Sequence, residues 1–263
     1  MGDPERYCSK AEIFPLDFTG RYRFLLCDLD DTLYPANAGI MKAIGERISR
    51  FMVEHLDVPP ETAPYLRRYF RERYGTTMRG LILHYGINPE RYLEFVHDLP
   101  LTNFIQPNPA LSRALDNITL TKVIFTNASR EHALRVLTIL GVEHHFTHII
   151  DVRDFQYQSK PHRQAYRRAL EILDARPEEC ILVEDMPRNL VPAVAMGMFG
   201  VLVGNPYSEM EDWTNVADLC VNDILELADK LQSIIASPRT ELVRTRQASQ
   251  EAGRENRQED CNP

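Results

Sequence analysis

The sequence predicts an α/β protein, a doubly wound and mostly parallel sheet with an all-helical segment inserted into it. Three observations carry that prediction. Five short runs have strand length, and all but the third are nearly continuous apolar stretches, as expected for strands covered on both faces. Helical patterns separate the last four runs, so strand and helix alternate. The stretch between the first and second runs is far longer than one crossover helix needs, yet it holds no convincing strand.

The five runs are Phe24–Leu29, Lys122–Thr126, His148–Asp151, Cys180–Glu184 and Phe199–Val203. A helical pattern over Arg130–Leu140 stops at Gly141, a residue suited to a left-handed helix end. Pro161–Leu173 opens with proline at an expected first helical position, and Pro187–Met196 stops at Gly197. Within the long first crossover, helices are expected near Ile40–His55, Pro60–Tyr74, Met78–Tyr85 and Pro89–Asp98. The organisation that follows is a core of residues 1–37 and 106–237, a helical insertion of residues 38–105, and a tail of residues 238–263. The tail is rich in Arg, Glu, Gln and Ser and offers little to bury, so disorder is expected there.

Composition excludes several classes. A net charge of −8 argues against general nucleic-acid binding, which needs a basic footprint. No apolar run reaches membrane-spanning length, and the first residues lack the apolar region of a secretory signal. The 5 cysteines are scattered, with no CxxC pair, which suits a reducing cytoplasm.

Ligands of an open α/β sheet bind at the carboxyl ends of its strands. The first strand ends in Asp28-Leu29-Asp30-Asp31-Thr32, the second in Thr126-Asn127-Ala128, and the fourth in Glu184-Asp185, with Asn189 one helical turn on. The loop after the third leads to Ser159-Lys160-Pro161. Alone, each piece reads as a solvated turn, a helix cap or a surface lysine. Together, Asp28, Asp30, Glu184 and Asp185 would repel one another in one crevice unless a cation joined them. Oxygen donors without clustered Cys or His favour Mg²⁺ over zinc.

This ordered set resembles the haloacid dehalogenase-like (HAD) hydrolase superfamily and in particular its phosphatases. The motifs are DxDxT (Asp28, Asp30, Thr32), the strand-end Thr126, Lys160 before a helix, and the acidic pair Glu184-Asp185. The resemblance implies a Rossmann-like core, with the insertion as a helical cap. It implies Asp28 as nucleophile and Asp30 as acid and then base. It implies Mg²⁺ on Asp28, the backbone carbonyl of Asp30, Asp185 and Glu184, with Asn189 orienting the metal ligands. Thr126, the N–H groups of Asn127 and Ala128, and Lys160 would hold the phosphate. The dehalogenases of the superfamily lack a carboxylate at the Asp30 position, so phosphoryl transfer is expected. Asp28-x-Asp-Asp-Thr-Leu-Tyr-Pro35 and Tyr74-Gly-Thr-Thr-Met-Arg-Gly-Leu81 resemble the pyrimidine 5′-nucleotidase branch, which often has Asn where Asp31 stands.

The expected activity is therefore hydrolysis of a small phosphorylated metabolite, a nucleoside monophosphate such as a pyrimidine one. Substrate contacts are expected from Tyr34 at the neck and from Tyr74, Thr76, Thr77 and Met78 in the insertion, with Met41 and Arg79 as weaker candidates. The alternatives are a phosphatase or phosphomutase acting on a sugar phosphate, and a non-enzymatic phospho-aspartate switch.

Overall fold

The computed structural model describes residues 21–204 and 216–236. The expected disorder of residues 238–263 lies outside them. A six-stranded sheet has the order β3-β2-β1-β4-β5-β6, and every pairing is parallel. The strands are β1 (Phe24–Cys27), β2 (Thr121–Phe125), β3 (Phe146–Ile150), β4 (Cys180–Glu184), β5 (Phe199–Val203) and β6 (Leu219–Val221). Successive residues of β1 alternate between two apolar clusters: Leu25 and Cys27 pack into one, Phe24 and Leu26 into the other. Both faces are therefore covered, and this is why the strand reads as a continuous apolar run.

Helices α5 (Pro109–Asp116), α6 (Arg130–Leu140) and α9 (Ile224–Ala236) contribute to the first cluster. Helices α7 (Arg163–Leu173) and α8 (Pro187–Met196) contribute to the second. Four helices lie between β1 and β2: α1 (Ile40–Leu56), α2 (Ala63–Tyr74), α3 (Thr77–Tyr85) and α4 (Pro89–His97). Their starts are local chemistry. Thr76 caps α3 by accepting from Arg79 N–H, and Asn88 caps α4 ahead of Pro89. Phe51, Phe70, Met78, Leu81 and Tyr92 bury their side chains in the cluster that also covers one face of the sheet.

Several elements differ from expectation. β6, α5 and α9 were not expected. β6 is only 3 residues long, and α5 begins at Pro109, inside the Pro107-Asn108-Pro109 run, which reads as a hinge. β3 starts at Phe146 because an edge strand tolerates the exposed Thr147 and His148 that break its apolar pattern. Pro161 is not the first residue of α7. It sits in a turn after a cis Lys160–Pro161 bond, and the helix starts at Arg163 behind the His162 cap. Cys27 and Cys180 are buried and unbridged. No helix among the described residues is long and apolar enough to cross a membrane.

The strand order reverses at β1, whose neighbours are β2 and β4. That reversal opens a crevice at the carboxyl ends of the three strands.

Candidate active site

β1 and β4 run parallel in register, with Cys27 opposite Val183, so the next residues, Asp28 just past β1 and Glu184 at the end of β4, lie side by side. Asp28 is held by its backbone N–H, which donates to Val183 at 2.9 Å. Lys160 arrives from the loop before α7 and is 1% exposed. Its Nζ donates to Asp28 Oδ1 at 2.9 Å, to Glu184 Oε1 at 2.7 Å and to the Phe125 carbonyl at 2.7 Å. Glu184 also accepts from Asn189 Nδ2 at 2.8 Å and from Met186 N–H at 3.1 Å. Asn189 is fixed in turn through its carbonyl, which accepts from the buried Tyr166 hydroxyl at 2.6 Å. Oxygens of Asp28, Glu184 and Asp185 lie within 4.8 Å of one another.

The electrostatics follow from burial. Burial pushes Asp28 up to about 7; Lys160 opposes the rise, and Glu184 and Asp30 add to it. Burial, then Glu184 and Asp28, pushes Asp185 up to about 9. Burial would lower the Lys160 ammonium, but the two carboxylates outweigh it and hold it above its ordinary range. Three carboxylates therefore face one ammonium, an excess of negative charge in a buried place.

Asp30 has different company. Its carboxylate is not part of that cluster. Oδ1 accepts from Tyr34 Oη at 2.5 Å and is 2.8 Å from His132 Nε2. Burial pushes Asp30 up, but the His132 charge and hydrogen bond and the Tyr34 hydroxyl outweigh it, so the carboxyl lies below its ordinary value. The His132 ring stacks on His97 at 4.4 Å between centroids, and His97 Nδ1 lies 3.0 Å from Ser129 Oγ.

Thr126 is buried at the end of β2, and its hydroxyl accepts from Ala128 N–H at 3.0 Å. The Ala128 N–H expected to face phosphate is thus engaged within its own turn. Asn127 uses both ends of its side chain on the Lys160 backbone, accepting from the N–H at 2.8 Å and donating to the carbonyl at 3.1 Å. These bonds seat the loop that delivers Lys160.

A cavity of about 280 Å³ lies between these groups and the inserted helices. Asp28, Asp30, Thr126, Asn127, Ala128, Asp185 and Asn189 line it from the strand ends; Lys160 and Glu184 lie beneath. Thr76, Thr77, Met78 and Met41 line it from the helices, as does an apolar wall that includes Ile44, Tyr92 and Leu93. The Thr77 hydroxyl donates to the Arg67 carbonyl at 3.0 Å, which leaves its lone pairs for a ligand.

Two expected substrate contacts are elsewhere. Tyr34 is 3% exposed and spends its hydroxyl on Asp30. Tyr74 turns outward, its hydroxyl 2.6 Å from His84 Nε2 and its ring against Phe70 and His84. Neither lines the cavity, and nor does Arg79.

Four side chains at the site were not expected. His97 and His132 sit on separate helices far apart in sequence, so no motif links them. Arg71 and Arg188 line the cavity where α2 meets α8, and Arg188 donates to the carbonyls of Arg71 at 2.9 Å and Gly75 at 3.0 Å. Gly75 also passes close to the Lys160 loop: a Cβ there would lie 2.8 Å from the Lys160 carbonyl oxygen, at φ +86°.

Residues 22–197 match the haloacid dehalogenase-like hydrolase family. Phosphate metabolism protein 8 of Saccharomyces cerevisiae is 29% identical over 124 residues, covering 44% of this chain and 39% of the yeast protein. The phosphoglycolate phosphatase of Chromobacterium violaceum is 26% identical over 221 residues, covering 78% of this chain and 95% of that protein. The crystal structure of a HAD phosphatase from Thermococcus onnurineus superposes with a TM-score of 0.55 at 19% identity, over 80% of this chain and 97% of that one, a likeness of fold. With a match that spans most of the described sheet and reaches from β1 to the end of α8, the chain belongs to the haloacid dehalogenase-like hydrolase family.

Proposed function

We propose that the protein is a Mg²⁺-dependent phosphomonoester hydrolase that works through an aspartyl-phosphate on Asp28. In this reading residues 38–105 are its cap, and its substrate is a nucleoside 5′-monophosphate of the pyrimidine class. The observation that carries the reading is the buried row Asp28–Lys160–Glu184 with Asp185 beside it and Asp30 two residues from the nucleophile. The named phosphatase among the relatives supports phosphate-ester chemistry. The apolar cap wall, Met78 and the threonines suit a flat, partly polar leaving group.

The donor set fits a hard divalent cation, because three clustered carboxylates against one lysine call for added positive charge and offer only oxygen. Asp28, Asp185, the Asp30 carbonyl and a free lone pair of Glu184 would hold Mg²⁺, which when bound supplies positive charge against the phosphate oxygens.

The chain's own residues do the rest. Lys160 fixes the Asp28 carboxylate through Oδ1 and offsets the repulsion between carboxylate and phosphate. An Asp28 oxygen attacks phosphorus and the ester P–O bond breaks. Asp30, ionised in the free site, takes up a proton as the phosphate dianion arrives and gives it to the departing oxygen. It then takes one from water as that water attacks phosphorus, which frees Asp28 and releases inorganic phosphate. The cap wall limits bulk water around the reacting groups.

The test is phosphate release from a panel of nucleotides, sugar phosphates and small phosphomonoesters, with and without Mg²⁺. Mg²⁺-dependent release, highest on pyrimidine monophosphates and abolished in Asp28→Asn, is the expected result. A sugar phosphate preferred over every nucleotide refutes the substrate class. Near-normal release by Asp28→Asn refutes the covalent mechanism.

A further inference from the structure

The Asp30 carboxylate is gripped on one oxygen only. Both Tyr34 Oη, at 2.5 Å, and His132 Nε2, at 2.8 Å, lie on Oδ1. The residue lines the cavity, and no side-chain donor among the described residues reaches Oδ2. Tyr34 is 3% exposed and His132 1%, so neither bond competes with bulk water. The His132 ring is itself fixed, stacked on His97 of α4, while Ser129 Oγ, the cap of α6, accepts from the His132 backbone N–H at 3.3 Å. Facing a carboxylate oxygen, which can only accept, Nε2 is the donor, while His132 Nδ1 is buried without a partner.

An oxygen that accepts two hydrogen bonds has no room for a proton of its own. A carboxyl accepts on that oxygen in either protonation state. The arrangement therefore confines the transferable proton to Oδ2 and prevents the carboxyl from rotating to present the wrong oxygen. We infer that Tyr34 and His132 are positioning residues that lock Asp30 with Oδ2 toward the departing ester oxygen, so that the enzyme can expel poor leaving groups. The inference rests on the proposed hydrolase reading. The balance is that of proton transfer coupled to ester cleavage: the P–O bond breaks as the Asp28–P bond forms, and the Oδ2 proton moves to the leaving oxygen. Water later returns one proton to Oδ2 and passes its oxygen to phosphorus.

A positioning role differs from a packing role in how it depends on the leaving group. An alkyl phosphate expels a basic alkoxide that must be protonated, whereas p-nitrophenyl phosphate expels a stable phenolate that needs no proton. Tyr34→Phe and His132→Phe are expected to lower kcat/KM on uridine 5′-monophosphate, or on the best alkyl ester of the panel, by about tenfold or more, within the range that acid–base catalysis supplies. The same variants should stay within about threefold of the parent in kcat/KM on p-nitrophenyl phosphate, because kcat/KM reports the steps up to P–O cleavage and not the later hydrolysis common to both esters. His132→Gln, which restores an N–H near the same place, should recover part of the alkyl rate. Melting temperatures identify a misfolded variant; should His132→Phe be one, Tyr34→Phe removes a single oxygen and carries the test alone. Equal losses on both esters, or no loss on the alkyl ester, overturn the inference. Activity surviving in Asp28→Asn would instead overturn the hydrolase mechanism, and that result needs no comparison of leaving groups.

Discussion

Replacing Lys160 with methionine keeps the length of the side chain and removes its charge and its three hydrogen bonds. The ammonium is 1% exposed and is the partner of both Asp28 and Glu184, so little solvent screening lowers the cost. Breaking a buried ion pair from one side costs about 3–5 kcal/mol, because the remaining charge stays buried. The Phe125 carbonyl loses its ammonium donor as well, and a buried acceptor left bare costs about 1–3 kcal/mol. These contributions overlap, so the expected loss for metal-free Lys160→Met is about 3–5 kcal/mol, read from urea unfolding in chelator near neutral pH. The second arm is Lys160→Met combined with Glu184→Gln, in which one stranded charge is gone. The double variant should recover about 1–3 kcal/mol relative to the sum of the single losses, the size of coupling found between contacting residues. A loss below about 1 kcal/mol, or strictly additive losses in the double variant, would show that Lys160 is not the counter-ion of this cluster.

The remaining predictions use the same geometry. Gly75→Ala should destabilise the fold by about 1–3 kcal/mol and lower turnover, because the new methyl meets the Lys160 carbonyl and the backbone is held at positive φ; unfolding curves and phosphate release with parental values would refute the close packing of that loop. In metal-free protein, the raised values of Asp28 (about 7) and Asp185 (about 9) mean that the folded state binds more protons than the unfolded one above pH 3.8. Stability from these groups is full below that pH and is lost as pH rises toward 7 and then 9, by up to about 1.4 kcal/mol per pH unit for each proton, and saturating Mg²⁺ should flatten the decline; a metal-free protein that gains stability over this interval would contradict the crowded-carboxylate picture. Met78→Ala should lower kcat/KM on nucleoside monophosphates more than on a small featureless phosphate ester, since Met78 lines the cavity from the cap and is 3% exposed; parallel losses would mean that it only packs the cap.

What could be read from the sequence has a physical pattern. The strand ends were legible because a sheet buried on both faces admits few polar residues. An Asp at the end of Phe24-Leu25-Leu26-Cys27, or a Glu after Cys180-Ile181-Leu182-Val183, is conspicuous for that reason. Parallel register then brings Asp28 and Glu184 together with no further information. The helical insertion was legible from its length and its caps. β6 was not, since a three-residue edge strand carries too little pattern, and α5 was hidden by prolines that read equally as a hinge and as a helix start.

The roles of the aromatic and histidine residues were the least legible part, for a different reason. A motif records neighbours along the chain, whereas orientation is decided by neighbours in space. Tyr34 follows Asp28 closely and reads in the sequence as a substrate contact, yet its hydroxyl turns back to Asp30 at 2.5 Å. Tyr74 adjoins Gly75 and Thr76, which line the cavity, but Tyr74 sits near the end of α2 with its ring on Phe70 and His84, outside the cavity. His132 lies one turn into α6, where it reads as an ordinary helix residue. Only the packing of α6 against the loop after β1, with His97 arriving from α4, brings it to Asp30. The groups proposed to face phosphate sit mostly at strand ends, where backbone register sets their place. The groups that steady Asp30 sit on helices joined by tertiary contacts alone. Chemistry written on the sheet is therefore readable from a single sequence, while the support that orients it becomes visible only when the helices are in place.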